Sequence, residues 1–171
     1  MDLIASFNSQ KVGRFHFFLL HGLKKNDDLL FLFDTGAACP VIGVNNFFDK
    51  DEDNQIQKAF RHFLLSEVSS QGIISRPMKT ANSQEVMTYP CLCHNVTIEN
   101  SSKVEFYFDI SFAEISIPLL GSSFIDDCSY SHIIDGNLNI TGMKNNAGAK
   151  YYEGTKVLDF DTVVEKFESL N

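Results

Sequence analysis

Leu29 to Gly43 reads "LLFLFDTGAACPVIG", an apolar run ending on Asp34-Thr35-Gly36 with a second apolar stretch close behind. A carboxylate at the end of a buried strand is costly unless something holds it. Asp34 could cap a helix, bind a metal, attack as a nucleophile or move protons. A cap would precede a helix, and Gly36 and Pro40 oppose one starting at residue 35. A metal ligand would want more His, Asp or Glu close by, and "TGAACPVIG" supplies only Cys39. A phosphotransferase nucleophile would want a second Asp two residues on, where Gly36 stands. The pattern suits proton transfer: Gly36 permits a tight loop, and the Thr35 hydroxyl can hydrogen-bond across it. A lone carboxylate cannot both activate a water and protonate a leaving amine. Two held about 3 Å apart share one proton and divide the work.

The elements that must position this loop read as mostly β. "GRFHFFLLHG" and "DDLLFLFD" are apolar runs joined by the polar link "LKKN", which predicts a hairpin ending at Asp34. Ile56, Ala59, Phe60, Phe63 and Leu64 then share one helical face, which predicts a helix over about 52–66. "KTANSQEV", between Met78 and Met87, is small and polar between apolar flanks, the pattern of a hairpin tip. In "KVEFYFDISF", Val104, Phe106, Phe108, Ile110 and Phe112 alternate with Glu105, Tyr107, Asp109 and Ser111, so the second set is expected on a wetter face. "IPLLGSSFID" predicts a short apolar stretch, a glycine and a short helix, and "YSHIIDGNLNI" a hairpin turning at Asp135-Gly136. Thr162 and Glu165 form a capping-box pattern that predicts a short C-terminal helix.

"FLFDTGAACPVI" together with "IPLLGSSFI" resembles the retropepsin-like aspartic proteases, a family that includes retroviral proteases and cellular and bacterial relatives. In that family an apolar-apolar-Asp-Thr/Ser-Gly-Ala segment is paired with an apolar-apolar-Gly segment ahead of a short helix. Leu119, Leu120 and Gly121 take the second set of places. The resemblance implies that the second segment lies against the first, with the chain crossing itself under the loop. It covers roughly residues 12–140 and implies a mainly β, closed-barrel acid-protease lobe with a flap hairpin, plus an inserted helix and a short C-terminal helix. The domain is expected over 1–145, with the helical insertion at about 45–66 and an extension over 146–171. Asp34, Thr35 and Gly36 take the catalytic places. Ala37, with Ala81, Asn82, Ser83 and Gln84 of the flap, takes the substrate-binding ones. The glycine-rich flap tip and the Gly-Arg-Asp of viral members are absent; Ser122 and Ser123 follow Gly121.

The chain carries the motif once. Asp135 follows two apolar residues but sits in a common Asp-Gly turn, and only ten residues follow Asp161 of "KVLDFDTVV", too few for an α/β nucleophile fold. A pair of Asp34 carboxylates therefore requires a symmetric homodimer. "CLCH" at Cys91–His94 invites a zinc reading, because Cys-x-Cys on a strand puts both thiols on one face; the blander reading is two small buried side chains, and no metal is expected. Cys39 is expected to pack near the loop.

Bulk properties narrow the partners. At 171 residues the chain is expected to fold as one domain with a real core. The net charge of −8, with "DKDED" at Asp49–Asp53 as the one dense charge run, argues against a nucleic-acid partner. No apolar stretch is long enough to span a bilayer. Four cysteines are too sparse for a disulfide scaffold, and the start of the chain lacks a secretory-signal layout, so a reducing cytoplasm is expected. The leading expectation is a cofactor-free homodimeric aspartic endopeptidase acting on extended polypeptide. A non-cleaving binding or scaffolding module of the same fold, and a zinc-binding regulator using "CLCH", are the alternatives.

Overall fold

A computed structural model describes residues 6–23, 28–49, 54–79, 83–133 and 136–170. In chain order the elements are β1 (Phe7–Asn8), β2 (Gln10–Val12), β3 (Phe15–His21), β4 (Leu29–Leu32), β5 (Val41–Gly43), helix α1 (Asn54–Ser70), β6 (Arg76–Lys79), β7 (Glu85–Ile98) and β8 (Val104–Ser111). Helix α2 (Ser122–Ile125), β9 (Cys128–His132), β10 (Leu138–Met143), β11 (Leu158–Asp159) and helix α3 (Phe160–Ser169) complete the chain. The fold is mainly β, as the alternating runs predict.

The larger sheet has the order β2-β3-β7-β8-β5, with β4 on β3 and with β6 and β11 on β7; a smaller sheet has the order β1-β10-β9. The expected hairpins are present. β3 pairs antiparallel with β4 up to Leu20–Leu29, β6 with β7 up to Lys79–Glu85, and β9 with β10 from His132–Leu138. The link at 24–27 and residues 134–135 of the last turn lie outside the described residues. Among the described residues the ladders do not join into the closed barrel that the resemblance implies. The gap between β4 and β5 is crossed by single bridges from Leu119 to Leu32 and to Val41, so closure there rests on one residue.

Strand β7 is the spine, pairing with β3, β6, β8 and β11 along its length. Its ladder with β8 shifts register between Cys93 and Val96, where Asn95 takes a positive φ that Asn tolerates better than most residues. The core is rich in phenylalanine: Phe18, Phe31, Phe106, Phe108, Phe124 and Phe160 are fully buried. Such rings bury large apolar areas, and edge-to-face pairs like Phe31–Phe106 (centroids 5.6 Å apart) add to that.

Three further expectations need correction. Helix α1 runs four residues past 66, because its buried stripe is Phe60, Leu64 and Val68, while Ile56 and Ala59 face solvent. It stops where Gly72 turns left-handed (φ 68°), with Ile73 N donating to Val68 O and Gly72 N to Ser69 O. Helix α3 is capped by Asp159, whose carboxylate accepts from Thr162 N (3.3 Å), so Thr162 lies within the first turn. In β8, Asp109 and Ser111 are fully buried instead of wet, since both faces of the strand are covered there. No helix among the described residues is long and apolar enough to cross a membrane.

Candidate active site

Strand β4 turns Leu29 and Phe31 into the core, and Phe33 N still donates to His16 O (2.9 Å). The chain leaves the sheet at the next residue. Asp34 Oδ1 accepts from Gly36 N at 2.9 Å and Asp34 O accepts from Ala37 N at 3.3 Å, a local turn of the kind Asp side chains favour. A Cβ on Gly36 would stand 3.1 Å from Asp34 Oδ1, so glycine leaves the carboxylate its room. Asp34 is half-buried, while Thr35 and Gly36 are exposed at the turn.

The Pro118–Ser123 segment threads beneath this loop. Leu32 N donates to Pro118 O and Leu120 N to Leu32 O, both at 2.8 Å. On the other side Leu119 exchanges hydrogen bonds with Val41 at 2.9 and 3.0 Å. Ser122 N then reaches Ala37 O (2.7 Å), Ser123 N reaches Ala38 O (3.0 Å), and the Ser122 hydroxyl also donates to Ala38 O (3.2 Å). Gly121 makes the crossing possible. Its φ is 63°, and a Cβ there would fall 2.1 Å from Cys39 C and 2.6 Å from Pro40 N. The two segments singled out in the sequence are thus knitted together, the later one under the earlier.

Ser83 and Gln84 sit exposed at the end of the β6–β7 hairpin, Ser83 with a φ of 64°. Ala81 and Asn82 lie outside the described residues.

Sequence reasoning missed a second carboxylate on the far side of the loop. Asp109 N donates to Pro40 O (2.9 Å), and the Asp109 side chain accepts from Arg76 Nε (3.1 Å), Arg76 Nη2, Thr88 Oγ1 (2.7 Å) and Tyr152 Oη (2.8 Å). Burial works against the Arg76 charge, but the hydrogen bonds and negative charge of Asp109 outweigh it and hold the guanidinium protonated more firmly than usual. The Cys39 thiol beside it is pushed up to about 12, by burial first and by the Asp109 charge second. A thiol so raised is not poised as a nucleophile.

The "CLCH" residues do not converge on one another. Cys91 and Cys93 point into the core, where burial raises both thiols well above their ordinary range. All four cysteines are free. His94 faces the other way, and its ligand atom and those of Asp159 and Asp161 lie within 4.8 Å of one another. Among the described residues this is the one grouping able to hold a cation. Both carboxylates already have structural work: Asp159 caps α3, and Asp161 Oδ2 accepts from His94 N at 2.6 Å.

No protein-family model matches the chain, and no curated protein matches it. Among solved structures, a retropepsin-like aspartic protease from Rickettsia conorii superposes with a TM-score of 0.46 at 13% sequence identity, over 84% of this chain and 95% of that one.

Proposed function

We propose that the protein is a homodimeric aspartic endopeptidase, with a domain over 1–145 extended by 146–171. The observation that carries this reading is the Asp34 loop itself. An apolar strand delivers a half-buried carboxylate into a tight turn, and a glycine-gated crossing segment pins that turn from below. Such a loop is built to hold one carboxylate in place while leaving it reachable. Each protomer contributes one Asp34 across a two-fold axis. A water held between the two carboxylates gives up a proton as it attacks the scissile carbonyl. The tetrahedral diol collapses as a proton passes to the leaving nitrogen. Thr35 ties the paired loops together, and Ala37 leaves room beside the substrate. An extended polypeptide lies as a strand under the β6–β7 hairpin, held by backbone hydrogen bonds, with Ala81, Asn82, Ser83 and Gln84 in the substrate-binding places that the resemblance implies. The four free thiols support a place in the reducing cytoplasm.

Cleavage of unstructured peptides by the purified chain, and its block by a statine-type transition-state mimic, is the direct test. Mixing wild type with Asp34→Asn protein adds the dimer to that test. If each site needs two copies of Asp34, activity falls faster than dilution explains, because mixed dimers are inactive. Tight peptide binding without cleavage, identical in Asp34→Asn, would replace this reading with the non-cleaving binding module.

A further inference from the structure

We propose that the turn at Gly148–Tyr152 is a positioning clamp for the site. Through Tyr152 and Asp109 it fixes the root of the β6–β7 hairpin against the Asp34 loop. The inference rests on the endopeptidase reading of Asp34 and adds residues which that reading does not use.

A buried carboxylate must find donors, and the donors Asp109 finds come from three separate segments. Arg76 is on the first strand of the hairpin, Thr88 on the second, and Tyr152 in the C-terminal turn. The backbone of Asp109 itself holds Pro40, where the Asp34 loop re-enters the sheet. One residue therefore ties together the hairpin and the tail through its side chain and the loop through its backbone. The turn supports this as more than a chance contact. Arg76 Cζ lies 4.9 Å over the Tyr151 ring and 4.8 Å over the Tyr152 ring, and Tyr107 stacks on Tyr152 at 5.4 Å. Two rings and a carboxylate together leave the guanidinium little freedom.

The other end of the turn is tied to the crossing segment's side of the site. Gly148 N donates to Asp127 Oδ2 (2.9 Å), just beyond α2, and Lys144 Nζ holds Asp127 Oδ1 at 3.1 Å. Gly148 needs its left-handed φ of 88° to make that bend, and a Cβ there would touch Ser123 O at 3.5 Å. The turn thus begins on Asp127, just beyond the short helix that follows the crossing segment, and ends on the residue that holds the loop's exit. Slack at either end would let the loop and hairpin drift relative to one another. Misplacement of catalytic groups by about 1 Å can cost on the order of a hundredfold in rate.

Tyr152→Phe is the sharpest test, since it removes one donor and keeps the ring against Arg76 and Tyr107. Active sites are first titrated with a tight-binding transition-state mimic. The expected result is a kcat per titrated site lower by about tenfold, with KM within about twofold, at temperatures well below Tm. Arg76→Lys, which keeps the charge but loses the planar fork, is expected to do the same. In both variants amide exchange should quicken over 38–41 and 76–79 and stay unchanged in β9 and β10. A merely structural role would lower Tm and the number of titratable sites while leaving kcat per site intact. That outcome, or unchanged exchange over 38–41, overturns the clamp. Should the wild-type chain fail to cleave anything, the endopeptidase reading falls, and the exchange experiment still decides whether the clamp exists.

Discussion

Asp34 and Asp109 flank the same loop, one at its start and the other held to its exit, and they are opposites. Asp34 is half-buried, and Gly36 N–H is the one hydrogen-bond donor to its carboxylate among the described residues. Asp109 is fully buried and accepts from Arg76, Thr88 and Tyr152. A carboxylate saturated with donors has no lone pair left for a water or a substrate, so it can organise but not react. A carboxylate with spare acceptor capacity is the reverse, and in the proposed dimer a second copy of the chain would supply what it lacks. Burial alone would have ranked Asp109 as the more unusual group. Counting donors favours Asp34 for the proposed chemistry.

Neutralising each aspartate should break this comparison in opposite directions. In Asp34→Asn the amide oxygen can still accept from Gly36 N, so the turn survives. Unfolding free energy should stay within about 0.5 kcal/mol of wild type, while peptide cleavage falls by at least about 10²–10⁴-fold, the usual worth of a positioned acid or base. Asp109→Asn should instead be felt first in denaturant unfolding. It strands a partly buried guanidinium, and breaking a buried ion pair costs about 3–5 kcal/mol. Because the Arg76 side chain keeps 24% of its exposure, the lower end of that range is expected. An Asp109→Asn protein as stable as wild type would mean that the network is ornamental.

A finer cut separates the donors from the charge. Thr88→Val keeps the shape of a fully buried side chain and removes the hydroxyl 2.7 Å from Asp109 Oδ2. A hydrogen bond to a charged group is worth about 1.5–3 kcal/mol, and Arg76 remains to hold the carboxylate, so a loss toward 1.5 kcal/mol is expected by the same measurement. A loss as large as that of Asp109→Asn would show that the hydroxyl, and not the ion pair, organises the cluster.

The two aspartates also differ in how far a sequence reveals them. The Asp34 turn and its crossing were legible from short patterns: an apolar run, Gly36 two residues on, and the apolar-apolar-Gly pattern at Leu119–Gly121. Asp109 was misread because strand alternation assigns faces but not what covers them. Its donors stand 33, 21 and 43 residues away in the sequence, and nothing near Arg76 or Tyr152 announces the meeting. The far end of α1 was lost for a related reason: Ile56 and Ala59 continue the apolar face toward solvent, while Val68 continues it into the core. Ring closure was the remaining excess, since periodicity cannot tell a full ladder from the single bridges made by Leu119.

The mildest test acts on the Asp34 side alone. His16 O receives Phe33 N, the last sheet contact before Asp34, and His16 Nδ1 lies 2.9 Å from Ser9 Oγ and accepts from Leu138 N at 3.3 Å. A proton on Nδ1 would displace that acceptor role. Burial first, then the nearby His132 and Lys11, hold the His16 imidazole below its ordinary value of 6.5. A lowered value in the folded state means that the unfolded chain binds the proton more readily. Stability is therefore whole above pH 6.5 and declines as pH falls from there through the folded value. The decline should be small, because His16 is only half-buried. His132→Gln removes one of the three causes, so the His16 midpoint followed by NMR should rise part of the way toward 6.5 while burial keeps it from arriving. Amide exchange over 33–34 should quicken in the same pH interval, and exchange over 76–79, on the Asp109 side, should not. If both regions respond together, the loop is held as one rigid unit and the division between a reactive carboxylate and an organising one is not mechanical.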